Sequence, residues 1–110
     1  MKPEPHDLPV ACSLPSAGLR EREATLLARF RSSVTAVEEL SDGYDFCLPG
    51  DRNTIAIAAE MFAAERECCP FLTFTLTAHP NAGPLFVRIT GPMGTKEFLK
   101  TVLLQPEALI

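Results

Sequence analysis

Residues 65–76 read Glu-Arg-Glu-Cys-Cys-Pro-Phe-Leu-Thr-Phe-Thr-Leu, and in this stretch a helix gives way to a strand. Helical geometry is disfavoured for the residue before a proline, so Pro70 ends the helix at about Cys69. From Leu72 onward, apolar residues alternate with threonines, which is typical of a strand with one buried face. The pattern therefore places two adjacent thiols, those of Cys68 and Cys69, at the carboxyl end of a helix.

Two β-hairpins surround this helix in the sequence. In residues 33–48, a stretch rich in valine and threonine is followed by a turn at 41–43 and then by an alternating stretch, which predicts the first hairpin. In residues 72–90, two alternating stretches enclose a proline-containing loop at 79–84, which predicts the second. Each hairpin thus follows a helix.

Three helices are predicted. Apolar residues recur every three or four positions over residues 17–31, which indicates an amphipathic first helix. Asp51 or Asn53 can cap the second helix, which runs to about Cys69. Thr95 is a candidate cap for a short final helix that extends to about Leu104. The apolar side of the first helix comprises Leu19, Leu26, Leu27 and Phe30.

These elements predict an α+β fold with the order α-β-β-α-β-β-α, in which a four-stranded antiparallel sheet carries helices packed on one face. The two halves resemble each other, which suggests an internal duplication with Ser32-Ser33 in the place of Cys68-Cys69. The other face of the sheet is expected to be polar but weakly charged, and able to pair with a second copy of the chain as a homodimer. Its predicted residues are Asp45, Cys47, Thr73, Thr75, Thr77, Phe86 and Arg88.

The length of 110 residues fits one domain. Residues 1–15 hold four of the ten prolines and are expected to form an extended arm. Residues 16–105 form the single α+β domain, and residues 106–110 are a C-terminal tail.

Charge and hydropathy argue against several classes of partner. The net charge is −4 and the ten basic residues are scattered, so we expect no nucleic acid partner. No apolar run approaches the length of a membrane span, and no apolar segment follows Lys2 as in a secretory signal. We therefore expect a cytoplasmic protein with no membrane partner. In that reducing compartment, its four cysteines would be free thiols, ligands or redox groups.

The paired cysteines lie in a negative environment. Glu65 precedes Cys68 by three residues and Cys69 by four, so helical geometry brings all three to one end of the helix. The carboxyl end of a helix carries partial negative charge, to which Glu65 and Glu67 add. These charges raise thiol pKa values and disfavour a nucleophilic thiolate, whereas a bound cation stabilises thiolates. The location therefore favours metal capture over thiol catalysis.

A metal site needs more than two thiols. We predict that Cys12 on the arm supplies a third sulfur beside Cys68 and Cys69, with Glu65 as an oxygen ligand. His6 and His79 are alternative fourth ligands. Zinc fits such a set, and three thiolates also suit a soft ion such as mercuric, cuprous or cadmium. No organic cofactor is implied.

Two other interpretations stay open. The cysteines can be packing residues of a dimeric interaction module, since free cysteine is among the most buried residue types. Alternatively the chain is a thiol redox protein in which Cys12 forms a disulfide with Cys68 or Cys69. Cys47 is assigned to a surface or interface. No nucleophile elbow, phosphate-binding loop or His-Glu-x-x-His motif occurs, so we expect binding rather than catalysis.

The segments 11–14 (Ala-Cys-Ser-Leu), 26–30 (Leu-Leu-Ala-Arg-Phe) and above all 65–72 (Glu-Arg-Glu-Cys-Cys-Pro-Phe-Leu) carry a resemblance. The chain resembles a group of small uncharacterised bacterial proteins in which a Glu-Cys-Cys-Pro-Phe core recurs. The resemblance covers residues 11–100. Some members of the group lie beside heavy-metal regulators, which implies thiophilic metal handling by association and assigns no catalytic residue.

Overall fold

The structure, a computed structural model, describes residues 17–104, with the side chains of Ala17, Leu19 and Arg20 outside the description. The predicted arm and C-terminal tail also lie outside the described residues. In chain order the elements are α1 (Ala17–Ser33), β1 (Ala36–Glu39), β2 (Gly43–Leu48), α2 (Arg52–Cys68), β3 (Thr73–Ala78), β4 (Leu85–Thr90) and α3 (Thr95–Leu99), which continues as a π-helical turn over Lys100–Leu104. Across residues 17–104, no helix has the length and apolar character needed to cross a membrane.

The four strands form one antiparallel sheet in the order β1-β2-β4-β3. This confirms the predicted α+β fold and its element order. The second strand of each hairpin lies in the centre, as expected for two similar halves placed side by side. α1 and α2 are each 17 residues long and end at Ser33 and Cys68. In the comparison of the two halves, Ser33 therefore corresponds to Cys68. The sequence predicted that Ser33 corresponds to Cys69, one residue later.

One face of the sheet forms the core. Phe46 of β2 pairs with Val87 of β4 at the centre, and both are buried. The ring of Phe30 in α1 meets the ring of Phe46 edge-on, with centroids 5.5 Å apart. Met61 of α2 and Leu99 of α3 belong to the same cluster. The helices thus pack on the face to which the alternating apolar residues point.

The opposite face is polar, as predicted. Asp45 and Arg88 are paired across β2 and β4 and form an ion pair at 3.2 Å. Next to them, the half-buried Cys47 pairs with Phe86. Cys47 therefore lies on the outer face with Asp45, where sequence reasoning placed it. Pairing of this face with a second copy stays a prediction.

The helix boundaries show one correct cap and one wrong one. Asp51 caps α2, since its carboxylate accepts from the backbone N–H of Thr54 at 3.2 Å and from the Thr54 hydroxyl at 2.6 Å. Thr95 is not a cap: it is the first residue of α3, its buried hydroxyl has no hydrogen-bond partner within residues 17–104, and the N-cap is Gly94. Gly94 has φ 99°, a left-handed conformation that glycine adopts without steric cost.

Candidate metal centre

Two buried side chains that can bind a metal, Glu65 and Cys68, lie at the carboxyl end of α2. The buried stripe of this helix passes through Met61 and continues at Glu65 and Cys68, four and seven residues later. A helix that keeps one face toward the core must bury whatever side chains occupy that face. The helix therefore carries the Glu65 carboxyl and the Cys68 sulfur into the interior together.

Cys69 is placed by the way the helix ends. Its backbone leaves helical geometry at φ −126° and ψ 75°, and its N–H donates to the Glu65 carbonyl at 2.6 Å. The carbonyl of Cys69 then accepts from Leu72 N–H at 3.2 Å, which closes a turn around the exposed Pro70. Both cysteines consequently stay beside Glu65 while the chain turns into β3.

An apolar wall holds the cysteines. Cys68, Cys69 and Phe71 are each 0% exposed and form a cluster of their own, against which Leu72 and Phe98 pack. The Phe71 and Phe98 rings meet edge-on with centroids 5.3 Å apart. Packing on this side fixes the positions of the sulfurs and keeps water away from them.

The fourth side chain comes from α1. The Arg29–Glu60 ion pair at 4.0 Å links α1 to α2. Glu23 precedes Arg29 and Glu65 follows Glu60, so helices running in opposite directions bring the two carboxyls together. One ligand atom from each of Glu23, Glu65, Cys68 and Cys69 lies within 4.8 Å of the others.

This group of four could hold a metal ion once Cys68, which is disulfide-bonded in the structure, is reduced. A tetrahedral zinc with bonds of about 2.0–2.3 Å has ligand atoms about 3.3–3.8 Å apart. Ligand atoms that already lie within 4.8 Å of one another would contract by about an ångström to reach that geometry. Two sulfurs and two carboxylate oxygens are a donor set suited to zinc or to a softer divalent ion.

Glu65 is an unusual buried acid. It is 3% exposed, and its Oε1 has no hydrogen-bond partner within residues 17–104. Burial, followed by the hydrogen bond and charge of Glu23, raises the pKa of Glu65 to about 8, against the opposing hydrogen bond from Cys69. A carboxyl that is costly to ionise and has an unused oxygen is suited to receive a cation.

The surroundings of the Cys69 thiol disfavour its thiolate form, which a catalytic cysteine needs. Burial, followed by the negative charge of Glu65, raises the pKa of Cys69 far above its usual range. The direction of this pKa shift agrees with the sequence-based expectation that the helix end and its carboxylates raise thiol pKa values. The Cys69 thiol is therefore a poor nucleophile in the absence of a cation.

The cysteines are not in the same covalent state. Cys68 is disulfide-bonded in the structure, whereas Cys47 and Cys69 are free. The sulfur of Cys68 thus becomes a thiolate ligand only after reduction. Cys12, the predicted third sulfur, and His6 lie outside the described residues. Of the predicted ligands, the structure brings together Glu65, Cys68 and Cys69.

His79 is remote from the group. It follows β3, whose six residues begin next to Leu72 and span roughly 20 Å. Its ring meets Phe86 edge-on at 5.2 Å, in the loop at the far end of the second hairpin. His79 is therefore not a member of the group of four.

Sequence reasoning missed Glu23. The apolar residues of α1 recur at positions 19, 26, 27 and 30, and position 23 lies on the same side. A carboxylate within an apolar stripe was the available signal. It could not name the partner, because only the packing of α1 against α2 brings Glu23 to Glu65.

Two clefts flank the group. One, of about 360 Å³ between α1 and α2, is lined by Arg22, Glu23, Leu26, Glu60, Ala63, Ala64 and Glu67. The other, of about 330 Å³, is lined by Phe62, Arg66, Cys69, Pro70, Leu72, Thr73 and Phe74. Each cleft is lined by one residue of the group, the half-buried Glu23 in the first and Cys69 in the second.

Comparison with known proteins adds no assignment: no protein-family model, curated protein or solved structure matches the chain.

Proposed function

We propose that this chain is a cytoplasmic binding protein for a thiophilic metal ion, zinc or a soft heavy metal. The ligands are Cys68 and Cys69 with Glu65 and Glu23, and Cys12 on the arm is a further sulfur. The single observation that carries the proposal is the convergence of four ligand atoms within 4.8 Å around a buried carboxyl.

The charges of the group support a cation. Glu65 takes part in no ion pair within the described part of the chain, and its Oε1 is unpartnered. Folding raises the pKa of both the Glu65 carboxyl and the Cys69 thiol, and the two can ionise together around a divalent ion, because its charge offsets theirs. Binding is therefore coupled to proton release.

The role is binding and not catalysis. The apolar wall of Phe71 and Phe98 closes the site on one side, and four protein side chains can fill a tetrahedral sphere. Catalytic zinc sites keep one position open for water or substrate, whereas structural and storage sites are closed. The protein would thus buffer or deliver the ion.

Cadmium titration of the reduced protein tests this proposal. We expect one ion per chain, with a thiolate-to-cadmium charge-transfer band in the ultraviolet. The double variant Cys68→Ser and Cys69→Ser should lose both the band and the tight site, while Cys47→Ser keeps them. Unchanged one-to-one binding by the double variant would rule the assignment out.

A packing role for the cysteines is the second candidate. It is favoured by the complete burial of Cys68 and Cys69 against Phe71, and it fits a dimeric interaction module. This candidate predicts that the thiol of Cys69 reacts with a thiol reagent only in denaturant, and that added zinc or cadmium changes neither stability nor reactivity. Metal-dependent protection of Cys69 would exclude it.

A further inference from the structure

The sulfur of Cys68 takes part in two arrangements that exclude each other. It is disulfide-bonded in the structure, and it is also one of the four atoms that lie within 4.8 Å of one another. A disulfide sulfur carries no negative charge and is a far weaker metal ligand than a thiolate. The site therefore cannot use Cys68 for both purposes at once.

We propose that metal binding at this site is gated by the redox state of Cys68: the reduced chain holds the ion, and disulfide formation at Cys68 releases it. The inference rests on the proposed function and adds its regulation. In a reducing cytoplasm, disulfides are usually transient and redox-sensing, so the recorded disulfide fits a switch better than a permanent staple.

The oxidised site keeps only part of its donor set. Cys69 remains a free thiol beside Glu65 and Glu23. One sulfur and two carboxyls are three ligands with a single soft donor, which suits a thiophilic ion poorly. Cys68 is the last residue of α2 and Cys69 is its C-cap, and the structure leaves Cys69 unoxidised. The two thiols thus have separate tasks, Cys68 as switch and Cys69 as constant ligand.

The oxidising step balances with a low-molecular-weight disulfide as the oxidant. The thiolates of Cys68 and of a second cysteine give up two electrons and form a protein disulfide. The sulfur–sulfur bond of the oxidant is cleaved through a mixed-disulfide intermediate, and its two halves accept the two electrons and depart as thiolates. The metal ion departs as an unchanged divalent cation. Cys47 and Cys69, which are free in the structure, are not the second cysteine.

Linkage makes the effect reciprocal. If oxidation weakens metal binding by some factor, bound metal must disfavour oxidation by the same factor. The ion should therefore protect Cys68 from the oxidant, and this protection can be measured without any activity assay.

The test uses the full chain carrying Cys47→Ser, which removes the half-buried outer thiol from the reaction; the wild type serves as control. Cadmium affinity is measured by competition with a chromophoric chelator, before and after oxidation with glutathione disulfide. Mass spectrometry of peptides then identifies the oxidised cysteines. We expect oxidation to lower the affinity roughly 100-fold or more, because the Cys68 thiolate is lost as a ligand.

We also expect the disulfide to map to Cys68, with Cys69 alkylated after unfolding, and cadmium to slow oxidation by a comparable factor. Equal affinities before and after oxidation, or a disulfide at Cys69 in place of Cys68, would overturn the gating. Failure of the reduced chain to bind cadmium at all would instead overturn the proposed function. The two failures are therefore distinguishable.

Discussion

The backbone N–H of Cys69 donates a 2.6 Å hydrogen bond to the carbonyl oxygen of Glu65. This bond closes the last turn of α2 and fixes Cys69 one turn beyond Glu65, whose carboxyl also interacts with the Cys69 thiol. The same two residues are thus joined through backbone and side chains. Their relative position is set by folding before any ion arrives, which lowers the entropic cost of binding one.

The stability of the metal-free protein should fall as pH rises. The pKa of Glu65 is raised from 4.5 to about 8 by folding, so the folded state holds a proton that the unfolded state loses above its ordinary pKa. The stability that Glu65 contributes is present below pH 4.5 and is lost as pH rises through about 8. We expect a loss on the order of 2–4 kcal/mol across that range.

Urea unfolding at a series of pH values measures this, with Glu65→Gln as the comparison. The glutamine variant keeps a polar side chain of similar shape and cannot ionise. Its stability should therefore change less between pH 4.5 and 8 than that of the wild type. Parallel profiles for the two proteins would show that Glu65 does not hold its proton in the folded state.

Metal binding should release protons and tighten with rising pH. Cys69 and Glu65 are both protonated near neutrality because folding raises the pKa of each, and both must lose their protons to serve as ligands. Calorimetric titration of zinc into the reduced protein in buffers of different ionisation enthalpy counts the protons released. We expect more than one proton per ion at pH 7. A heat that does not depend on the buffer would contradict this.

Glu23→Gln should weaken the site without harming the fold. Its carboxylate is one of the four ligand atoms and is only half-buried, so the neutral amide is tolerated but binds a divalent ion poorly. We expect a loss in zinc affinity of roughly 10- to 100-fold. The matched control is Glu21→Gln, an exposed residue on the same helix, which should retain wild-type affinity. Equal losses of zinc affinity in both variants would show that Glu23 acts only through its negative charge and is not a ligand.

Phe71→Ala should destabilise the protein and loosen the site together. Phe71 is 0% exposed and forms the wall behind both cysteines with Phe98. Truncating a buried phenylalanine costs about 3–5 kcal/mol in unfolding free energy. The control Met93→Ala removes a side chain that is 98% exposed and should change stability by less than about 0.5 kcal/mol. Urea unfolding of both variants checks the difference.

Local signals determined most of the fold. Pro70 ends α2 where the sequence indicated, Asp51 caps it, and the alternation in residues 44–48 and 85–90 marks the two central strands. These features depend on neighbours along the chain, which periodicity and capping report directly. The wrong cap at Thr95 arose because a positive φ at Gly94 starts α3 without a side-chain bond.

The candidate site was predictable only in part. Glu65, Cys68 and Cys69 lie within one helical turn, so their convergence follows from sequence spacing. Glu23 is 42 positions before Glu65 and joins them through the pairing of α1 with α2. Spacing carries no information about such a contact, and the covalent state of Cys68 is likewise set by distance in space and by redox conditions.

X-ray absorption at the zinc edge of the reduced, zinc-loaded protein tests the central claim most directly. We expect sulfur neighbours at about 2.3 Å together with oxygen neighbours at about 2.0–2.2 Å. In the Cys68→Ser, Cys69→Ser double variant, the sulfur contribution should fall or vanish. A first shell made only of nitrogen and oxygen in the wild type would contradict a metal centre built on these two cysteines.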